Sequence, residues 1–393
     1  MTTLLAPADE AGVAAAVADA FAVGEPLAIE GAGTKRAMLR PVQAARTLST
    51  RALSGITLYR PKELVISARA GTPLADIEAA LAAEGQMLIA EPPTAAIWGG
   101  GAQTLGGVVA ANLSGPRRIT GGAMRDHVLG VRFVNGQGEV LRSGGRVLKN
   151  VTGLDLCKLL SGSHGTLGVL TEITLKVLPR PESAATLVIR VADVAAGVRA
   201  LSAALGSPYG VSGAAVVPMG AAGEDPADTI ACLRIEDFSS FVAYRVERLR
   251  ADLSVFGEHR VADAEETRAL WAAIRDGVPL AAQPDEALWR VSVKPTDGPR
   301  VLAALREAGL RGTLDWGGGL VCLAGPATEA AHAAVMAAAA PGTFTLLRAP
   351  DALRAAVPVI PDEAAPLAAL SRRVKAALDP KGILNPGRMR AGL

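Results

Sequence analysis

Small residues and one lysine follow a short apolar run near the start of the chain, in the stretch Gly31-Ala32-Gly33-Thr34-Lys35. Because small side chains let several backbone N–H groups converge on one anion, such a turn after a strand is typical of a phosphate loop. The dinucleotide-binding pattern G-x-G-x-x-G would need glycine where Arg36 stands, and the P-loop sequence Gly-Lys-Ser/Thr is absent. The stretch is therefore a phosphate loop of another kind or a plain tight turn.

A denser glycine run extends from Trp98 to Gly130 and holds nine glycines. Glycine costs backbone entropy on folding, so this density indicates a backbone that turns sharply or closely approaches another group. The residues between the glycines are small, as at Ala110, Ala111 and Ser114, which predicts a shallow surface with exposed N–H groups. Such a surface suits a flat ring with a diphosphate tail. The alternative is a glycine-rich loop in a large α/β domain.

A few polar side chains in the second half have types that suit work on a substrate. Arg290 lies on a predicted strand and can hold a carboxylate through two parallel hydrogen bonds, or form a salt bridge at a sheet edge. Trp316, directly after Asp315, either packs in a core or covers one side of a bound ring. General-base chemistry needs a proton acceptor within reach of the substrate hydroxyl. The histidines available there, His259 and His332, fall in helix-like surroundings.

Composition excludes several classes of function. The formal net charge is +2 and no basic block is long, so the electrostatic footprint of a nucleic-acid binder is absent. The chain has three cysteines, Cys157, Cys232 and Cys322, which lie far apart and form no C-x-x-C pair. We therefore expect no iron–sulfur cluster, no zinc site and no other bound metal. The first residues carry Asp9 and Glu10 and no basic segment, unlike a signal peptide. No run of about 18 uninterrupted apolar residues predicts a membrane span. We expect a cytoplasmic protein, with attachment to the inner membrane through a partner as the open alternative.

The elements that would position these residues read as mixed helix and strand. A helix is predicted over residues 8–23, with Glu10 facing water, and another helix after Thr72 as its capping residue. A third helix is expected to start at Leu105. From about residue 185, strand-like runs alternate with helices, which predicts a separate α+β domain, with a loop over 205–228.

Six segments, in order along the chain, resemble the FAD-binding domain shared by vanillyl-alcohol oxidase and p-cresol methylhydroxylase (PCMH). They are EGAGTKR at 30–36, LVISARAGTPLADIEAAL at 64–81, TLGGVVAANLSGPRR at 104–118, MRDHVLGVR at 124–132, GSHGTLGVLTEITLKVLPRP at 162–181 and DPKGILNPGRM at 379–389. Each motif alone is weak, whereas six in order are specific. Within this family the chain is most similar to the E subunits of bacterial glycolate oxidases, also called glycolate dehydrogenases. That narrower match lies in GPRR at 115–118, GRVLKNVTGLDLCKLLSGSHG at 145–165, LWR at 288–290 and DWGG at 315–318.

The resemblance implies a fold and a division of the chain. The fold would be a two-subdomain PCMH-type FAD-binding domain joined to a C-terminal α+β cap domain. The FAD-binding domain would cover residues 1–182, with subdomains of about 1–58 and 59–182. The cap domain would cover 183–360, and a C-terminal segment, 361–393, would return to the FAD site.

The resemblance also implies non-covalent FAD and a set of residues around it. The residues implied to bind FAD are Gly31, Ala32, Gly33, Thr34, Lys35, Thr104, Leu105, Gly106, Gly107, Asn112, Ser114, Gly115, Arg117, Gly165, Gly168, Val169 and Asn385. The first five would cradle the pyrophosphate, and Asn385 would reach back to the ring. Arg117 would neutralise the pyrophosphate or face a partner, and the alternative is a solvated side chain. Arg290, Asp315 and Trp316 are the catalytic candidates on the substrate side.

The function implied is that of an FAD-binding subunit in a complex that oxidises glycolate, a 2-hydroxy acid, to glyoxylate. A sister FAD-binding subunit would oxidise the substrate, and an iron–sulfur subunit would carry electrons towards the inner membrane. This chain would hold a second FAD, as an electron relay or a structural partner. One alternative is a self-sufficient FAD-linked 2-hydroxy-acid dehydrogenase, and another is a non-catalytic scaffold. The resemblance implies that dehydrogenases of the family acting on 2-hydroxy acids carry cap-domain histidines, which orient the substrate and take its hydroxyl proton. His259 and His332 lack that spacing.

Overall fold

A computed structural model of the chain describes residues 3–145, 154–218 and 229–392. The chain forms two compact units, so that its two ends share one of them. The first unit comprises Met1–Ser114, Gly122–Arg180 and Asp362–Leu393, and the second comprises Gly115–Gly121 and Pro181–Pro361. Seven residues from the middle of the glycine run thus belong to the second unit, which the sequence did not predict. Residues 146–153 of the motif at 145–165 lie outside the described residues.

The described residues contain both strands and helices. The strands are β1 (Thr3–Leu5), β2 (Leu27–Glu30), β3 (Arg46–Ser49), β4 (Ile56–Arg60), β5 (Val65–Arg69), β6 (Gln86–Met87), β7 (Val128–Val134), β8 (Val140–Gly144), β9 (Val169–Lys176), β10 (Leu178–Pro179), β11 (Ser183–Val191), β12 (Val211–Pro218), β13 (Thr229–Asp237), β14 (Glu258–Ala262), β15 (Ala287–Ser292), β16 (Arg311–Asp315), β17 (Leu320–Gly325) and β18 (Thr343–Arg348). The α-helices are α1 (Glu10–Val23), α2 (Leu74–Ala83), α3 (Leu105–Ala110), α4 (Arg118–Gly121), α5 (Leu156–Leu160), α6 (Val194–Leu205), α7 (Ser239–Asp252), α8 (Ala264–Arg275), α9 (Gly298–Arg306), α10 (Glu329–Ala339), α11 (Asp351–Ala356) and α12 (Ala365–Leu378). None of the helices in the described ranges is long and apolar enough to cross a membrane.

The first unit is built on two main sheets. A parallel sheet has the order β1-β3-β2, and an antiparallel sheet has the order β4-β5-β9-β7-β8. Val13 and Val17 of α1 pack against the smaller sheet around Leu48. Ile77 of α2 and Val108 of α3 belong to the core of the larger one. This packing fixes the end of β2, the start of α3 and the start of β9, where the predicted FAD residues cluster.

The second unit is built on one eight-stranded antiparallel sheet in the order β14-β11-β13-β12-β16-β17-β15-β18. Trp271 of α8 is buried in a cluster with Val217 and Cys232 of the sheet. Successive side chains of a strand point to opposite faces. Trp289, which is fully buried, and Arg290 therefore lie on opposite faces of β15. The predicted mixture of helix and sheet is confirmed.

Local predictions were wrong in several places. Residues 211–218 of the expected loop form β12, because Gly213 leaves room for the Trp271 ring, from which a Cβ there would lie 2.8 Å. The rest of that loop, residues 219–228, lies outside the described residues. Pro73 directly precedes α2, and Thr72 does not cap the helix, because its hydroxyl donates to the carbonyl of Arg69 at 2.7 Å.

Two further side chains lie in surroundings that the sequence misjudged. Glu10 does not simply face water, because it pairs with Arg132 and accepts from the Thr171 hydroxyl at 2.6 Å. These partners outweigh partial burial and lower the pKa of Glu10. His259 lies on β14 and not on a helix, with its Nε2 3.1 Å from the carbonyl of Leu253. Both residues make contacts between elements, which a local pattern does not encode.

Candidate cofactor site

The stretch from Gly31 to Lys35 forms the turn that leaves β2. None of its five backbone N–H groups donates to another described residue. Gly33 has a φ of +74°, a left-handed conformation that favours glycine. A Cβ on Gly31 would lie 2.1 Å from Thr104 Oγ1, so only glycine lets this turn approach the start of α3. The turn therefore leaves five backbone donors available to an anion.

The start of α3 is held by its own sequence. Thr104 is the N-cap, and its hydroxyl accepts from the N–H of Gly107 at 3.3 Å. The N–H groups of Leu105 and Gly106 donate to main-chain carbonyls at 2.9 and 2.8 Å. A Cβ on Gly106 would lie 2.8 Å from the side chain of Ala70, so this glycine is required by packing. α3 therefore contributes an open surface at Gly107, and its first N–H groups are already used.

Lys35 supplies the charge of this site. Its ammonium donates to Gln103 Oε1 at 3.1 Å and lies 5.4 Å from the centre of the Trp98 ring. A Cβ on Gly107 would lie 3.8 Å from it. Burial lowers the pKa of Lys35 to about 8. No carboxylate of the described residues pairs with Lys35. A partly desolvated cation without a counter-ion, beside five open N–H groups, fits a bound anion such as a diphosphate.

Asn385 joins three segments of the first unit. Its side-chain amide donates to the carbonyls of His164 at 2.8 Å and Ile29 at 3.2 Å, and its oxygen accepts from the N–H of Ile29 at 2.7 Å. Gly165 has a φ of +73°, and a Cβ there would lie 2.9 Å from Asn385 Nδ2. The structure thus brings Asn385 and Gly165 next to the end of β2. The amide of Asn385 is engaged by the protein itself.

Other residues predicted to bind FAD lie in packing positions of the first unit. Leu105 and Val169 are buried in the core, and a Cβ on Gly168 would lie 2.7 Å from the Phe133 ring. Asn112 accepts from the N–H of Arg125 at 2.9 Å, and Ser114 accepts from the N–H of Met124 at 3.0 Å. The structure shows what these side chains do within the fold: they fill the core or hold a turn. Two other glycines of the predicted set, Gly107 and Gly165, lie beside Lys35 and Asn385.

Sequence reasoning missed Gln103 and interpreted His164, next to Gly165, as a loop residue and not a base. Gln103 fixes Lys35, and its own amide donates to the carbonyl of Pro93 at 3.0 Å. The imidazole of His164 is half-buried, and burial, Arg388 and Lys35 together lower its pKa to about 3. His164 has a φ of +52°, which is uncommon outside glycine. Gly165, directly after it, was a signal of a turn in the sequence.

Gly115 and Arg117 lie in the second unit. The carbonyl of Gly115 accepts from Trp316 Nε1 at 3.1 Å. The guanidinium of Arg117 donates through Nε and Nη2 to the two carboxylate oxygens of Glu236, and its contact with the pyrophosphate stays a prediction. Asp315 likewise serves a structural contact, since its carboxylate accepts from the N–H of Trp316 at 2.6 Å.

Two arginines flank Trp316. The guanidinium carbons of Arg118 and Arg290 lie 4.6 and 5.0 Å from the centre of the Trp316 ring, which is cation–π distance. Burial, with a smaller effect from Arg118, lowers the pKa of Arg290 to about 10. The guanidinium of Arg290 forms neither an ion pair nor a hydrogen bond with the residues that the structure describes. The predicted salt bridge at a sheet edge is therefore not formed there.

Neither histidine of the second unit accompanies Arg290. His332 is buried on α10, and its Nδ1 accepts from Trp289 Nε1 at 3.1 Å. Because Trp289 and Arg290 point to opposite faces of β15, His332 lies on the opposite side of the sheet from Arg290. β14, with His259, is at the far edge of the sheet order. Among the described residues of this unit, no histidine can act as a general base beside Arg290.

Comparison with known proteins places these two units in a family. The FAD binding domain model matches residues 2–144, and the model for the C-terminal domain of FAD linked oxidases matches residues 357–389. The glycolate oxidase subunit GlcE of Escherichia coli K12 is 38% identical over 369 residues, which cover 94% of this chain and 93% of that protein. The glycolate oxidase subunit GlcD of Bacillus subtilis is 30% identical over 162 residues, or 41% of this chain and 33% of that protein.

A solved structure confirms the fold. The 4-ethylphenol oxidase from Gulosibacter chungangensis matches with a TM-score of 0.73 at 14% sequence identity, covering 99% of this chain and 89% of that one. The class defined by these matches is the FAD-linked oxidases with a PCMH-type FAD-binding fold, and FAD is the cofactor. The chain belongs to the family within this class that includes the glycolate oxidase subunit GlcE.

Proposed function

We propose that this chain is the E-type, FAD-holding subunit of a complex that oxidises glycolate to glyoxylate. The observation that carries the proposal is the 38% identity to GlcE over 94% of the chain. In this proposal the first unit is the FAD-binding domain and the second is the cap domain. FAD, when bound, supplies a two-electron acceptor.

The proposed site for the diphosphate of FAD is the turn from Gly31 to Lys35 together with Gly107. Five open N–H groups and the Lys35 ammonium offset the charge of the diphosphate, and the missing side chain at Gly107 leaves room beside them. Asn385 and Gly165 close this site from the C-terminal segment and the start of β9. Asn112 and Ser114 shape the neighbouring turn through their hydrogen bonds.

The proposed partners are a GlcD-like sister flavin subunit and an iron–sulfur subunit. The sister subunit oxidises the 2-hydroxy acid, and the iron–sulfur subunit passes electrons on towards the inner membrane. The FAD of this chain is a relay or a structural element. Support comes from the second unit, where Arg290 has no histidine beside it among the described residues.

Two measurements test the proposal. The chain is purified alone and its absorbance is read for FAD, and it is then used to capture partners from cells that express the whole complex. We expect a yellow protein that co-purifies with a second flavoprotein and a cysteine-rich iron–sulfur chain. A colourless, folded protein that takes up no added FAD would overturn the flavin site. A yellow protein that is isolated without either partner would overturn the complex.

Arg290 favours one second candidate, an FAD-linked 2-hydroxy-acid dehydrogenase that acts alone. Its guanidinium has no ionic partner among the described residues and can hold a substrate carboxylate. Anaerobic mixing of the isolated flavoprotein with glycolate or lactate separates the two candidates. Bleaching of the flavin absorbance, lost in Arg290→Met, favours the second candidate. An unchanged spectrum supports the first.

A further inference from the structure

Arg388, near the C-terminal end, binds the loop that carries Lys35. Its Nη2 donates to the carbonyl of Lys35 at 2.7 Å, and its Nη1 donates to the carbonyls of Arg40 at 2.9 Å and Arg36 at 3.3 Å. Its own carbonyl accepts from the N–H of Arg40 at 3.1 Å. One guanidinium therefore collects three carbonyls of a single loop, which the planar fork of arginine suits and a lysine ammonium does not.

The segment that presents Arg388 is itself firmly anchored. Ile383 and Asn385 continue the edge of β2 through hydrogen bonds of 2.8 and 3.0 Å with Leu27. The fully buried carboxylate of Asp379 accepts from the N–H groups of Ile383 and Leu384 and from the ammonium of Lys375. Arg388 thus extends from a fixed base, so its hydrogen bonds impose a position on the loop.

We infer that Arg388 is a positioning residue for FAD binding, which acts by fixing the loop of Lys35. The inference rests on the proposed FAD site at Gly31–Lys35. Carbonyl oxygens carry partial negative charge and oppose a bound diphosphate. The carbonyl oxygens that Arg388 binds cannot turn towards the diphosphate. The N–H groups of the loop and the Lys35 ammonium therefore stay available to the phosphate oxygens.

The test measures the dissociation constant for FAD, by flavin fluorescence on protein stripped of flavin, in Arg388→Met, Lys35→Met and the double variant. The melting temperature of each stripped protein is recorded beside it. We expect each single variant to bind FAD at least tenfold more weakly. Because Arg388 and Lys35 act through one loop, the dissociation constant of the double variant should rise by far less than the product of the two single-variant factors. Arg388→Lys should restore only part of the affinity.

Lys381→Met is the matched control. Lys381 lies on the same segment but donates to the carbonyls of Phe21 and Ala22, at the end of α1. Lys381→Met removes one positive charge, as Arg388→Met does, but leaves the loop of Lys35 unaltered. We expect its FAD affinity to be unchanged.

The outcomes separate this inference from the proposed function. If Lys35→Met binds FAD as tightly as the unchanged protein, the proposed site is wrong. If Lys35→Met weakens binding while Arg388→Met and Arg388→Lys do not, the site stands and the inference is overturned. The inference is also overturned if the dissociation constant of the double variant rises by the full product of the two single-variant factors. If Arg388→Met does not fold, the comparison of Arg388→Lys with Lys35→Met decides by the same criteria.

Discussion

Arg117 and Glu236 form a two-pronged ion pair, with distances of 3.0 Å from Nε to Oε2 and 2.7 Å from Nη2 to Oε1. Glu236 also pairs with Arg234 at 3.2 Å and accepts from the Ser212 hydroxyl at 2.7 Å. Burial alone would raise the pKa of Glu236, but Arg234 and Arg117 outweigh it and lower that pKa to about 2. A buried charge network therefore ties residues 115–121 to the sheet of the second unit.

This network predicts a specific response to acid. Glu236 has a pKa of about 2 in the folded chain against 4.5 for the ordinary group, so its stabilisation is complete above pH 4.5 and is lost as pH falls towards 2. A shift of this size corresponds to a change on the order of 3 kcal/mol. We expect Glu236→Gln to be less stable than the unchanged chain at pH 7, by urea denaturation, and the gap to shrink at pH 3. A gap that stays constant would contradict the network.

The adjacent glycines 106 and 107 predict opposite behaviour. Alanine at Gly106 meets Ala70, and we expect the free energy of unfolding to fall by about 1–3 kcal/mol. Alanine at Gly107 brings its Cβ to 3.3 Å from Thr104 Oγ1, which a small shift of that hydroxyl relieves, and alanine favours the helix, so the stripped protein should melt at close to the original temperature. Its methyl group points towards Lys35 and should weaken FAD binding at least tenfold. Calorimetry and FAD titration of both variants provide the check, and undiminished FAD affinity in Gly107→Ala would remove Gly107 from the site.

Lys35 predicts how FAD affinity depends on pH. Its pKa of about 8 in the flavin-free protein rises when an anion binds, because the anion favours the charged ammonium. Affinity should therefore be constant below pH 8 and fall as pH rises above it. FAD titrations between pH 6.5 and 9.5 should show this fall in the unchanged chain and a flat, weaker profile in Lys35→Met. Lys35→Arg keeps its charge over the whole range and should be flat as well.

Trp316 predicts a two-step loss of stability in the second unit. Trp316→Phe keeps a ring for Arg118 and Arg290 but loses the hydrogen bond to Gly115, which costs about 1 kcal/mol. Trp316→Leu loses the ring as well, and we expect a further loss of about 1–2 kcal/mol. Denaturation curves of the two variants measure the difference. If the two variants lose the same free energy of unfolding, the cation–π contacts of Arg118 and Arg290 with the ring contribute nothing to stability.

The sequence predicted the parts of the site that are written into short stretches. The sequence singled out the turn from Gly31 to Lys35 by its small residues, as a phosphate loop or a tight turn, and it placed the start of α3 at Leu105, where the structure has it. The ion pair of Arg117 was missed because its partner, Glu236, lies 119 residues away. Arg388 was missed for the same reason, since Lys35 is 353 residues earlier. β12 was missed because its glycine suits a contact with Trp271, which composition does not reveal.

The hydrogen bond between Ile29 and Asn385 joins residues that are 356 positions apart, so it can form only late in synthesis. At a synthesis rate of 5–20 residues per second, the ribosome needs roughly 20 to 70 s to cover that stretch. During that time the edge of β2 and the loop of Lys35 lack their hydrogen bonds with residues 383–388. At the proposed site, FAD binding therefore has to follow synthesis of the segment that carries Asn385 and Arg388.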